Sequence, residues 1–318
     1  MLDFLRKIYY KTWFGKLLMI LYRWINKYLI SDEVFVKWRY RLERGKKLEL
    51  KNPKTLNEKI NWLKLYDRTA LHTQCADKYA VREYVKGKIG EGYLVPLYYH
   101  TEDPKDIHDG NVTKIPCIIK TNHDSGGGTF ITDLHSVDWS FIQKQLKNRL
   151  KKNYYLGSRE WQYKDIKPRI IVEQLLQDSG GNIPLDYKLH CFNARVHMVQ
   201  VDIGRGTDNH FRNWYSTSWV REPYAWSSPK GHGKYTDPSE EDVERPATLD
   251  KMISLSEILA EPFDYVRVDW YDVDGKLYFG EITFHHDGGM QQIKPEKYDL
   301  ILGQQVKLTK PAGDQMKI

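Results

Sequence analysis

The chain has 318 residues, 41% hydrophobic and 13% aromatic, enough for two to three subdomains with their own cores. Its net charge of +7 is local: residues 1–54 carry 14 Lys/Arg against 5 Asp/Glu, and the rest carry 35 against 37, which argues against a nucleic-acid groove through the body. No apolar run of about 18 residues and no ordered leader pattern occur, so neither a membrane-spanning helix nor a signal peptide is expected.

Residues 3–30 read as one or two basic amphipathic helices. Phe14, Leu17, Leu18, Leu21, Trp24, Ile25 and Tyr28 recur at three- and four-residue steps, with Lys16, Arg23 and Lys27 off that stripe. Such a segment suits peripheral contact with an anionic membrane, and equally a helix packed on the body with a solvated basic flank. Residues 31–50 continue as a charged helix to a break at Asn52-Pro53. Thr55 opens the next helix, 55–66, with a capping box closed by Glu58, and Ile60, Leu63 and Tyr66 form its apolar stripe. A further helix is expected over 76–85, with Asp77-Lys78 at its start and Arg82 within it.

Residues 115–132, IPCIIKTNHDSGGGTFIT, hold the first chemical cluster. An apolar strand, 115–119, ends in Lys120, and a second begins at Thr129. Between them Ser125, Gly126, Gly127 and Gly128 form a loop whose N–H groups can wrap phosphate oxygens while Lys120 neutralises their charge. A triple glycine also suits a plain flexible turn. The loop lacks the G-x-x-x-x-G-K-[ST] order of a P-loop, and no helix or βαβ unit follows it, which speaks against a Rossmann site. Residues 136–150 read as a helix with Val137, Phe141, Leu146 and Leu150 inward. Residues 169–176, RIIVEQLL, read as a buried strand interrupted by Glu173, an acid that costs free energy there unless it is paired or used. Over 184–200 Tyr187, Leu189 and Cys191 alternate with Asp186, Lys188 and His190. His190 and His197 read as hydrogen-bonded strand residues, since no second ligand shares a metal spacing.

Residues 202–247 are the least regular and read as a long loop or short strands. Arg205, His210 and Arg212 with the nearby tryptophans suit a wall for an acidic sugar; alternatively the tryptophans only pin a loop. A helix over 246–259 feeds the central stretch, 265–289, YVRVDWYDVDGKLYFGEITFHHDGG. Val266, Val268 and Trp270 alternate with Arg267, Asp269 and Tyr271, Asp274-Gly275 supplies a turn, and 277–282 returns as a second strand. Arg267 and Asp269 share a face, as do Phe279, Glu281 and Thr283, so pairing about the turn can bring Asp269 beside Glu281. Two carboxylates, a side-chain oxygen and a nearby cation are what Mg²⁺ and a phosphate need, though an ordinary exposed hairpin face has the same spacing. Cys75, Cys117 and Cys191 lack metal-ligand spacing and fit small buried hydrophobes in a reducing cytoplasm. Residues 309–318 are expected to fray.

Arg267-x-Asp269 followed about a dozen residues later by Glu281-x-Thr283 resembles the metal-binding signature of the ATP-grasp ligases. The wording VRVDWYDVDGKLYFGEITF resembles their TupA-like (teichuronopeptide-biosynthesis) branch in particular, and the likeness runs from about Asn52 to Gln292. It departs at Thr283, where many ATP-grasp enzymes have Asn, and at HHDGG, which replaces a Thr-Pro-Gly-Ser-Gly type of ending. The resemblance implies an α+β ATP-grasp fold, two subdomains clasping ATP. Residues 1–50 would be a basic helical extension, 51–113 an α/β lead-in, 114–176 the lid with the Gly-rich loop, and 177–318 the C-terminal subdomain with the metal hairpin. It implies ATP held by Lys78, Lys120, Lys188 and the loop Ser125, Gly126, Gly127, Gly128, with Glu173 and the backbone of Leu176 at the adenine. It also implies Mg²⁺ on Asp269, Glu281 and Thr283, and Arg267 and Lys188 as catalytic cations. Arg205, His210, Arg212, His285 and Asp287 are the candidates for the substrate side.

The implied reaction is carboxylate–amine ligation through an acyl phosphate. The teichuronopeptide likeness points to a uronic acid or glutamate carboxylate and an amino-acid amine in surface polysaccharide biosynthesis, in the cytoplasm and near the inner face of the membrane. An alternative is a metal-dependent glycosyltransferase reading its nucleotide sugar through Asp272-Val273-Asp274, although Asp274 sits in the turn with Gly275. A non-catalytic membrane-associated scaffold is a third reading, against which stand the charged positions of the family pattern.

Overall fold

Asp274 and Gly275 take φ of +50° and +85° and close a two-residue hairpin, with Val273 paired to Lys276. This hairpin is one edge of the larger of two antiparallel sheets. The computed structural model describes residues 12–309 apart from 14, 16, 19, 20, 22, 23, 26–28, 206 and 232. Helices are α1 (Asp32–Arg44), α2 (Leu56–Tyr66), α3 (Ala70–Ala76), α4 (Val81–Ile89), α5 (Trp139–Leu150), α6 (Tyr155–Ser158), α7 (Leu249–Ala260) and α8 (Lys297–Gln305). Strands are β1 (Leu97–Thr101), β2 (Cys117–Thr121), β3 (Thr129–Ile131), β4 (Ile170–Gln174), β5 (Asp186–Phe192), β6 (Arg195–Ile203) and β7 (Phe211–Tyr215). They continue with β8 (Ala225–Trp226), β9 (Pro229–Gly231), β10 (Lys234–Tyr235), β11 (Tyr265–Val273), β12 (Lys276–Thr283) and β13 (Ile293–Lys294).

The smaller sheet has the order β1-β4-β2-β3 and the larger β12-β11-β5-β6-β7. Period-two alternation on β5 sends Tyr187, Leu189 and Cys191 into a core with Val266, Val268 and Trp270 of β11 and with Leu249, Met252 and Leu259 of α7. On the opposite face of the same sheet, Met198, Trp214 and Tyr265 pack against Phe35 and Val36 of α1 and Leu56, Ile60 and Leu63 of α2. The smaller sheet has its own core, where Ile119, Ile170 and Val172 meet Ile142 and Leu146 of α5. Its edge strand β1 comes from the segment expected as lead-in.

Thr55 caps α2 as its sequence predicts: its hydroxyl accepts from the Glu58 N–H and the Glu58 carboxylate accepts from the Thr55 N–H. All three cysteines are free and buried. Four readings are corrected. The helix expected over 76–85 is two helices, α3 and α4, and Lys78 lies in the turn between them. In α5 the buried positions are Ile142 and Leu146, and Phe141 is 56% exposed, because the helix starts at Trp139 behind its Asp138 cap. The strand β2 runs through Lys120 and does not end at it. The hairpin carries a bulge: Val268 pairs with Ile282 but Trp270 with Phe279, so Gly280 and Glu281 stand against Asp269 alone. Phe279 therefore turns into the core beside Trp270 and does not share a face with Glu281 and Thr283.

In the N-terminal segment Trp13, Leu17, Leu18, Leu21 and Trp24 are exposed, while Phe14, Lys16, Arg23, Lys27 and Tyr28 lie outside the described residues. Among the described residues no helix is long and apolar enough to cross a membrane.

Candidate functional site

The polar face of the larger sheet carries charged rows. Asp269 stands opposite Lys188, Asp186 opposite Asp202, and Asp202 opposite Arg212, on successive strands. Lys188 is 3% exposed and lies 3.1 Å from Asp269 and 3.7 Å from Asp202, with Asp186 also in contact. Arg267 grips Asp269 with two bonds of 2.6 Å, reaches Glu281 at 3.0 Å, and meets the His286 Nδ1 at 2.9 Å. The bulge makes this possible. A Cβ on Gly280 would lie 3.1 Å from the Asp269 carbonyl oxygen and 3.3 Å from its Cβ, so glycine lets Asp269 lie close behind Glu281.

Burial alone would raise the Glu281 carboxyl, but the charges of Lys78, Arg267, Lys188 and Arg205 outweigh it and hold it down at about 2. Glu281 is thus an anion at any ordinary pH, with Oε1 shared between Arg267 and, at 3.4 Å, the Thr283 hydroxyl. Both Asp269 oxygens are taken by Arg267, and one also by Lys188. Among the described residues no three His, Cys, Asp or Glu side chains are grouped to hold a metal by themselves. Mg²⁺ needs only one or two carboxylates when phosphate oxygens and waters complete its shell, so Glu281 with Thr283 would fit it in that mode, and Asp269 would join them by sharing an oxygen with Arg267 or Lys188.

The smaller sheet and the segments beside it contribute their own cluster. Lys120 and Glu173 pair at 2.6 Å across β2 and β4, and Arg82 adds a second contact to Glu173 at 3.3 Å, which accounts for an acid in an apolar strand. Lys78 donates to the Asp124 carbonyl beside the glycine loop. Arg149, which sequence reasoning passed over, tethers that loop: it bonds Asp124 at 2.7 and 3.0 Å and the Gly126 carbonyl at 2.5 Å. Beyond β4, neither the N–H nor the C=O of Leu176 is bonded within the described residues, and its side chain packs with Val95 and Tyr278 between the two sheets.

The expected substrate-side residues do come together, mostly as a buried support. Arg212 bonds Asp202 at 3.0 Å and Asp287 at 3.3 Å, and His210 lies 3.5 Å from Asp202. Arg205 reaches Asp186 at 2.5 Å while its side chain stays 55% exposed. Trp214 and Trp226 are buried and stacked 5.7 Å apart, with His286 edge-on to both, so these two pin the loop and form no open wall. His190 is bonded to Tyr265 and Gln200 as a strand residue. At the hairpin tip Asp272 accepts from the Gly275 N–H at 2.8 Å and closes the turn, and Asp274 accepts from the Ser179 N–H at 2.8 Å and ties the tip to a neighbouring loop.

Sequence reasoning missed a buried polar stripe on α2. Asn57, Asn61 and Lys64, spaced four and three apart, are all nearly inaccessible: Asn57 donates to the Gln291 carbonyl and to Asp299, Asn61 to the Gly289 carbonyl and Lys64 to the Gly288 carbonyl. In the sequence the stripe has the spacing of a solvated helix face, so no local signal marks it as buried. It ends in a cavity of about 200 Å³ whose lining includes Ser125 of the glycine loop, Arg267, Glu281 and Thr283 of the hairpin, Lys64, Glu160 and His285. Burial lowers His285 to about 4, against the pull of Glu160 3.6 Å away.

The pattern of the family described as TupA-like ATPgrasp matches residues 58–307, a span that contains both sheets. No curated protein sequence is significantly similar. Among solved structures, D-alanine–D-alanine ligase from Bacillus anthracis complexed with ATP is 14% identical, covers 66% of this chain and 54% of that one, and has a TM-score of 0.35. L-amino acid ligase from Bacillus licheniformis is 12% identical over 73% of this chain and 49% of that one, TM-score 0.42. N5-carboxyaminoimidazole ribonucleotide synthetase from Thermus thermophilus is 14% identical over 66% and 45%, TM-score 0.37. The chain thus spans about half the length of these structures.

Proposed function

We propose that this chain, which belongs to the TupA-like ATP-grasp family and has its α+β fold, is an ATP-dependent carboxylate–amine ligase. The supporting observation is that the glycine loop and the carboxylate hairpin, far apart in sequence, line one cavity. A substrate carboxylate oxygen attacks the γ-phosphorus of ATP, giving an acyl phosphate and ADP. An amine nitrogen then attacks the acyl carbon, phosphate leaves, and the nitrogen loses a proton as the amide forms.

In this reading Lys78, Lys120 and the N–H groups of Ser125 to Gly128 bind the phosphates, and the unpaired backbone of Leu176, with Glu173 behind it, meets the adenine edge. Asp269, Glu281 and Thr283 hold Mg²⁺, which neutralises charge on the phosphates when bound. Arg267, fixed by both Asp269 oxygens, points its charge at the reacting groups. Lys188 neutralises the acids behind them. No covalent nucleophile is needed, because positioning and charge carry the chemistry. The family likeness supports a uronic acid or glutamate carboxylate and an amino-acid amine in surface polysaccharide assembly. The buried free cysteines support a cytoplasmic setting, and the basic N-terminal segment supports peripheral contact with the inner membrane face.

Thermal unfolding with Mg-ATP, Mg-ADP and UDP-sugars tests the reading on wild type, Glu281→Gln and Lys120→Ala. Mg-ATP at a hundred times its dissociation constant should add about 2.7 kcal/mol to wild type, and both variants should lose that gain. Stabilisation by a UDP-sugar alone would sink the ligase.

A further inference from the structure

Lys64 is 1% exposed, lines the cavity beside Arg267, Glu281 and Thr283, and has no carboxylate among the described residues within ion-pairing reach of its Nζ. Its ammonium donates to the Asn61 side-chain oxygen at 3.0 Å and to the Gly288 carbonyl, both neutral, which leaves one of its three N–H bonds for the cavity. The cavity's other two cations are committed: Arg267 to Asp269 and Glu281, Arg39 to Glu43 at 2.6 Å. Glu160, the acid whose charge acts most on Lys64, is turned to Gln162 and His285. An ammonium buried without a counter-ion is costly, and burial lowers Lys64 to about 8. Such a cation is kept at a cost that a bound anion would offset.

Resting on the reading of this cavity as the acid's site, we infer that Lys64 anchors a second anionic group on the substrate whose carboxylate reacts beside Arg267 and Glu281. The acid then carries at least two anionic groups, the second a carboxylate or a phosphate. Lys64 is a specificity residue, held in place by Asn61, itself bonded to the Gly289 carbonyl, and by the Gly288 carbonyl.

Calorimetric titration of the full chain loaded with Mg²⁺ and a non-hydrolysable ATP analogue tests this with two probe pairs that each differ by one negatively charged group. L-glutamate is compared with its α-carboxamide, and glucuronate 1-phosphate with glucuronate. In at least one pair wild type should bind the member with the extra anionic group at least about tenfold tighter than its partner. Lys64→Met should reduce that preference to within about twofold, and Lys64→Arg should retain most of it. The wild-type comparison needs no variant to fold. Equal binding within both pairs, a preference that survives Lys64→Met, or no binding by any probe at millimolar concentration overturns the inference. The nucleotide titration made first separates the two ideas: failure of the analogue to bind removes the ligase reading as well, whereas analogue binding without a charge preference removes only the role of Lys64.

Discussion

Lys188 Nζ and the Asp269 carboxylate face each other at 3.1 Å from directly paired positions on β5 and β11. Three buried acids, Asp186, Asp202 and Asp269, meet at that ammonium, each also paired with an arginine (Arg205, Arg212 and Arg267), so Lys188 is the counter-ion common to the sheet's acidic rows. Removing one partner from a buried ion cluster costs about 3–5 kcal/mol. Lys188→Met should therefore lower the unfolding free energy by at least about 3 kcal/mol in urea denaturation without nucleotide. A loss of stability below about 1 kcal/mol would show that the acids are neutralised by other means.

Arg267 predicts a different split. Replacing it by Lys keeps one charge near Glu281 but loses the paired 2.6 Å bonds to Asp269. Mg-ATP affinity should change by only a few-fold, because the phosphate-binding groups are untouched. Turnover in a phosphate-release assay should fall by about 10²–10³, the usual effect of losing a preorganised transition-state donor. Equal losses in affinity and turnover would place Arg267 in ground-state binding.

Much of this site is legible in the sequence. The Asp274-Gly275 turn, the alternation on β5 and the capping box at Thr55 each depend on near neighbours, and each forms as read. What local pattern does not carry is context. The bulge at Gly280-Glu281 depends on Asp269 across the hairpin, and the burial of Asn57, Asn61 and Lys64 depends on a turn more than two hundred residues away. Likewise the tryptophans of the irregular segment read as a wall or as pins until the stack of Trp214 on Trp226 is in view.

Gly289 tests the contact between α2 and that turn. Its φ is +67°, and a Cβ would fall 2.6 Å from the Asn61 Nδ2 and 3.0 Å from the Ile60 Cγ2. Gly289→Ala must push α2 away or give up the bonds from Asn61. The expected outcome is a stability loss of about 1–3 kcal/mol with overpacking as its cause, seen as a lower urea midpoint. Discrimination between acids with two anionic groups and acids with one should weaken with it, while Mg-ATP binding, proposed for Lys78, Lys120 and the glycine loop, should stay within a few-fold. Loss of nucleotide binding instead would mean that the turn supports the hairpin as a whole.

The pH dependence of Lys64 follows from its burial. With its folded value near 8 and an ordinary lysine near 10.5, it is protonated in both states well below pH 8 and contributes no pH dependence there. Between those values the unfolded chain holds a proton that the folded chain has released, so this residue makes stability rise with pH, by up to about 1.4 kcal/mol per unit. The buried thiols act the other way: burial raises Cys75 to about 12 and Cys117 to about 11, so above pH 9 the unfolded chain loses protons first and stability falls. The wild-type curve mixes these with Cys191, with Lys59 and Lys78, which burial lowers, and with buried tyrosines, but all of them are present in Lys64→Met, and subtraction removes them. The difference in unfolding free energy, wild type minus Lys64→Met, should be nearly flat from pH 6 to 7 and climb from 8 to 10. A flat difference throughout would mean that Lys64 keeps its proton, and the cavity would then hold an anion-binding charge at every pH where the chain is folded.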